Sequence, residues 1–88
     1  MSEMKELIEV FTKISESKEM DKLFSEIFTE AERDDFASRW GLMKDLQNGM
    51  SQRSIAKKRH ISLCKITRGA KLLKDDKSIT KNLIKTYC

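Results

Sequence analysis

Proline is absent from this chain, and glycine occupies only three of its 88 positions. The two residues that most readily end helices are therefore scarce, and little interrupts helical stretches from within. Cysteine is scarce too. Cys64 and Cys88 have one histidine for company, His60, at no metal-ligand spacing. That speaks against a metal site and leaves two reduced thiols as the reading. No apolar run approaches the roughly 20 residues that cross a bilayer. The first six residues, MSEMKE, lack the basic and apolar regions of a signal peptide. A cytoplasmic protein with no membrane partner is expected. Catalysis would need a nucleophile–base pair, clustered carboxylates or metal ligands. One histidine, scattered acids and no glycine-rich phosphate loop do not supply them, so an enzyme is not expected.

A further absence is local. Residues 51–74 contain no Asp or Glu, yet they hold eight basic side chains: Arg53, Lys57, Lys58, Arg59, Lys65, Arg68, Lys71 and Lys74. The other 64 residues carry ten basic and fourteen acidic side chains. The formal charge of +4 is thus a basic block set against an acidic remainder. Such segregation is the footprint of a polyanion partner. RNA is disfavoured, because this block lacks the aromatic residues on which RNA modules stack bases. Duplex DNA is the expected partner.

What is present is helical periodicity. Met4, Leu7, Ile8, Phe11 and Ile14 share one helical face, with Ser2 as N-cap. Residues 15–18 have no apolar side chain and should contain a break. Met20, Leu23, Phe24, Ile27 and Phe28 form a second stripe. Thr29 and Glu32 are spaced as a capping box. Phe36, Trp40, Met43 and Leu46 continue a third helix to about Asn48, where Gly49 can end it at positive φ. Ser51 starts another, with Ile55 and the small Ala56 facing inward. Ser62 caps the next, with Ile66 as its inward anchor. A last helix bears Ile79, Leu83, Ile84 and Tyr87, capped by Ser78 or Asp76. The expected architecture is all-α, a single domain over residues 1–88. A chain this short buries only about 60–65% of its unfolded surface, so a partner subunit is expected to complete the core.

Residues of about 51–73 read as a helix-turn-helix. A small residue such as Ala56 lets the second helix cross closely, and Ile55, Ile61 and Ile66 follow at intervals of six and five. His60 stands where glycine is usual in the turn, and histidine tolerates left-handed geometry moderately well. Arg59 stands where an apolar residue is usual. Its stem is expected to pack, and its guanidinium to reach solvent or phosphate.

These residues resemble the tryptophan repressor family. Ser51-Gln52-Arg53-Ser54-Ile55-Ala56 followed by Ile66-Thr67-Arg68-Gly69 is similar to that family's SQRE or TQRE and then ITRG. Phe28-Thr29-Glu30-Ala31-Glu32-Arg33 is similar to the start of its long central helix, with Arg39 at the matching distance. The resemblance spans roughly residues 20–85. It implies a six-helix, intertwined homodimer, with dimerisation helices over about 2–48 and 77–87. It also implies a repressor that binds operator DNA with L-tryptophan as corepressor and controls genes of tryptophan biosynthesis or uptake.

On this resemblance, Arg39 and Arg68 would sandwich the indole, and Arg68 would pair with the ligand carboxylate. Gly69 would leave room for the ring, and Leu42 and Met43 would line the apolar wall. Phe28, through its backbone, and Thr29 would come from the other subunit to hold the ammonium and carboxylate groups. Arg53 would read a guanine edge, with Gln52, Lys65 and Thr67 as further base, water or phosphate contacts. Lys57, Lys58, Lys71 and Lys74 would sit on phosphates.

This chain departs from well-studied members at four points. Leu72 replaces a serine near the ligand's amino group, Lys65 a threonine and Met43 a valine, and the loop at Gly49-Met50 is one residue shorter. Losing the serine hydroxyl is worth about 1 kcal/mol of binding. Two other readings stay open: the same fold with a lost or different effector, and an adaptor whose basic face meets an acidic protein.

Overall fold

The structure, a computed structural model, describes residues 2–88. Among them are six helices and no strand: α1 Glu3–Lys13, α2 Ser17–Ile27, α3 Glu30–Gln47, α4 Gln52–Arg59, α5 Leu63–Lys74 and α6 Ile79–Tyr87. The chain divides into two compact units, one ending at Asp34 and the other running Asp35–Cys88. The long helix α3 begins in the first and continues in the second.

In the first unit, Ser2 Oγ accepts from the Lys5 amide at 3.2 Å and so caps α1. The break after α1 falls at residues 14–16, one residue earlier than the side-chain pattern places it. Ser17 and Lys18 are already helical, because the Glu16 carbonyl accepts from the Met20 amide at 3.0 Å. The expected capping box is present. The Thr29 amide donates to Glu32 Oε1 at 2.9 Å, and the Glu32 amide donates to Thr29 Oγ1 at 3.2 Å. Arg33 reaches back so that its Nη1 donates to the carbonyls of Phe28 (2.7 Å) and Ser25 (3.2 Å), satisfying acceptors that the end of α2 leaves free. Phe11, Phe24 and Phe28 form an aromatic run, with ring centroids 5.4 and 5.2 Å apart. No described residue of this unit is fully buried.

The second unit holds the core. α3 ends in a Schellman motif: Gly49, at φ +90°, donates to the Leu46 carbonyl, and Met50 donates to that of Asp45, both at 3.0 Å. Ser51, Ser62 and Ser78 cap α4, α5 and α6, each accepting from the amide three residues on. Between α4 and α5, His60 takes φ 55°, ψ 43°, the left-handed geometry anticipated for it. Leu42, Ile55 and Ile66 form the buried cluster, with Met43, Leu46, Met50, Ala56 and Ile61 packed around it. Ile84 of α6 is also fully buried, and Trp40 packs edge-on against Tyr87 at 5.8 Å. α5 lies between α4 and α6 in the packing, so the second helix of the pair is the centre of this unit.

Candidate ligand pocket and nucleic-acid interface

α3 and α5 border a half-open cavity of about 360 Å³ lined by Arg39, Leu42, Met43, Lys65, Arg68, Gly69 and Leu72. Six of the eight expected ligand residues therefore converge on one space, and its size falls in the range of small-molecule sites. Phe28 and Thr29 lie in the first unit, at the corner between α2 and α3. The back wall is apolar and continuous with the core, since Leu42 belongs to both. The two arginines enter from different helices, Arg39 from α3 and Arg68 from α5.

Gly69 is favoured by the close approach of α3. A Cβ there would come within 2.7 Å of Leu42 Cδ1 and 3.3 Å of Met43 Cγ. The expected reason for this glycine was room for an indole. The close approach of α3 is a packing reason for the same glycine, which also lies on the cavity wall. A Cβ on Gly41 would displace the Arg59 guanidinium, which lies directly over it.

That contact corrects the expectation for Arg59. Its guanidinium does not point to solvent or phosphate. It folds over α3, where Nε donates to Asp45 Oδ2 at 2.7 Å. Lys58 Nζ approaches the other oxygen of Asp45 at 3.4 Å. The hydrogen bond from Arg59 is the main reason the Asp45 carboxyl is held below its ordinary pKa. Asp45 thus fastens the last turn of α4 to the end of α3.

A second carboxylate pairs with two of the cations that line the cavity. Asp35 Oδ2 lies 2.9 Å from Arg39 Nη2, and Asp35 Oδ1 accepts from Lys65 Nζ at 3.2 Å. One acid of α3 therefore holds a cation of its own helix and one of α5. Sequence reasoning missed both acids. Asp35 stands four residues before Arg39, a helical pairing distance that could have flagged it. Its pairing with Lys65, thirty residues away, and that of Asp45 with Arg59, fourteen away, have no local signal.

The expected DNA-facing residues Gln52, Arg53, Lys57, Lys58, Lys65, Thr67, Lys71 and Lys74 are all exposed, on α4 and α5. Thr67 Oγ1 donates to the Leu63 carbonyl at 2.8 Å, which leaves its lone pairs to accept. Among the described residues, Arg53, Lys57, Arg68, Lys71 and Lys74 have no carboxylate partner, whereas Lys58 and Lys65 do. No group of three or more His, Cys, Asp or Glu able to hold a metal ion occurs among the described residues. No helix is long and apolar enough to cross a membrane.

An all-helical chain with a capped helix-turn-helix, exposed cations on both its helices and a cavity behind the second has the make-up of a DNA-binding regulator of the repressor type. Its family is settled by comparison: the family described as Trp repressor protein matches residues 2–87, and the chain belongs to that family. It is similar to the Trp operon repressor homologs of Chlamydia trachomatis serovars D and A. Each is 39% identical over 64 residues, which cover 72% of this chain and 68% of the relative. No solved structure gave a significant match.

Proposed function

We propose that the chain acts as a homodimeric repressor that binds operator DNA when L-tryptophan occupies the cavity between α3 and α5. The observation that carries this reading is the convergence of Arg39, Leu42, Met43, Arg68 and Gly69 on one cavity beside α5. Two guanidinium planes can stack on an indole, and Arg68 can also pair with a carboxylate. Ligand packed against α5 fixes that helix relative to α3. In a dimer, this sets the separation of two reading helices, which must match successive major grooves about 34 Å apart. The controlled genes would be those of tryptophan biosynthesis or uptake, in keeping with the names of the chlamydial relatives.

Arg53 reads a base edge in this proposal, while Gln52, Lys57, Lys58, Lys65, Thr67, Lys71 and Lys74 position the duplex. Phe28 and Thr29 complete the ligand site from the other subunit. The test is operator selection from random duplexes with and without L-tryptophan. Tighter, sequence-selective binding with the ligand supports the reading, and equal affinity in both conditions sinks it.

A second reading keeps the DNA binding and changes the effector. It is favoured by Leu72, an apolar side chain on the cavity wall, and by Lys65, a lining residue paired with Asp35. Calorimetric titration with L-tryptophan and with other indoles separates the two. Heat with another indole and none with L-tryptophan selects the second.

A further inference from the structure

We propose that Asp35 is a built-in counter-charge that restrains Lys65 and thereby lowers the affinity of this chain for DNA. The inference rests on the DNA-binding reading above and adds a residue that opposes it. Lys65 is the third residue of α5, in the helix's first turn. That end of a helix carries positive partial charge, so an ammonium there is unfavourably placed unless an anion lies close by. Asp35 is that anion: its Oδ1 accepts from Lys65 Nζ at 3.2 Å, while its other oxygen is held by Arg39. The carboxylate is fixed on α3 and cannot follow Lys65 to a phosphate.

To reach DNA, Lys65 must leave Asp35, and the approaching phosphate then faces a carboxylate that keeps only its Arg39 partner. Both groups are open to water, with side chains 45% and 36% exposed. Exposed pairs of this kind are weak and screened by salt, so a phosphate can displace Asp35. The hydrogen bond from Lys65 is the leading cause that keeps the Asp35 carboxyl below its ordinary pKa, so it stays charged at neutral pH. Lys71 and Lys74, further along α5, have no such partner among the described residues, and nothing withholds them.

The proposal is tested with Asp35→Asn, Lys65→Ala and the double variant in the full chain, titrated with random-sequence duplex DNA over a salt series without effector. Asp35→Asn should tighten binding by about three- to tenfold at low salt. It should also steepen the log–log salt slope by about one, the contribution of one more neutralised phosphate. In the Lys65→Ala background the same substitution should change affinity by less than about twofold, since distant or uncoupled effects of a lost charge are additive and a restraint is not. Equal tightening in both backgrounds would show a general charge effect and overturn the restraint. So would unchanged affinity of Asp35→Asn beside a wild type that binds. A wild type that binds no duplex at all overturns the DNA reading and this inference with it. Helical circular dichroism is checked for each variant, and Asp35→Ser replaces Asp35→Asn if the latter does not fold.

Discussion

The two units of the chain differ in charge and in burial, and the two differences run together. The first 34 residues carry five basic and ten acidic side chains; residues 35–88 carry thirteen basic and four acidic. Every fully buried side chain among the described residues lies in the second unit. The first unit has amphipathic helices, good caps and an aromatic run, but Met4, Ile8 and Ile27 remain well exposed. Local structure is thus complete there, whereas the hydrophobic driving force is not. Its apolar face has to be covered for those helices to be stable in water. The acidic balance of the first unit disfavours a polyanion there, and the basic balance of the second favours one.

Truncating the core should show the contrast most strongly. Ile66 is wholly buried, and Ile66→Ala is expected to cost about 2–5 kcal/mol, enough to unfold much of the protein near room temperature. Phe24→Ala in the first unit should cost less, and its effect should grow on dilution if that unit is stabilised by a second copy. Thermal melts followed by circular dichroism at several protein concentrations check both. A concentration-independent loss equal to that of Ile66→Ala would erase the distinction between the units.

Adding volume at the boundary between core and cavity comes next. Gly69→Ala should destabilise by about 1–3 kcal/mol, because Leu42 is locked in the core and cannot retreat freely. The same melts measure it. Arg53→Ala should relax sequence preference by about 1–3 kcal/mol, read as the competition between a selected and a scrambled duplex. Lys71→Ala should instead weaken all duplexes alike and reduce the salt slope by about one.

The smallest effect expected is acid-dependent. The folded pKa of Asp45 lies below its unfolded value, so its stabilising contribution is present above about pH 4, the unfolded value. It fades as pH falls through the lower, folded value. Asp45→Asn should therefore cost on the order of 1 kcal/mol at neutral pH and progressively less in strong acid. Denaturant unfolding across this range checks the sign.

Much of this molecule could be read without coordinates, because much of it is local. The caps at Ser2, Ser51, Ser62 and Ser78, the Thr29–Glu32 box, the glycine stop at Gly49 and the left-handed His60 each depend on residues within a turn of one another. The spacing of Ile55, Ile61 and Ile66 likewise encoded the helix pair. Charges were harder to place. Arg59 was expected at the solvent or phosphate side, yet its partner Asp45 lies on another helix. Arg33 was seen only as part of a motif, although it closes α2. Long side chains choose partners from whatever the tertiary packing presents, and periodicity carries no record of that choice.

Leu42 has a consequence beyond shape. It is 2% exposed, sits in the core beside Ile55 and Ile66, and also forms the wall of the cavity. The space for a small molecule and the interior that keeps the chain folded therefore share atoms. A molecule that fills the cavity of the folded chain, and has no site on the unfolded one, pulls the folding equilibrium by mass action, by about 2.7 kcal/mol at a hundredfold excess over its Kd. The melting temperature is then itself a gauge of occupancy, and it can rank candidate effectors before any operator sequence is known.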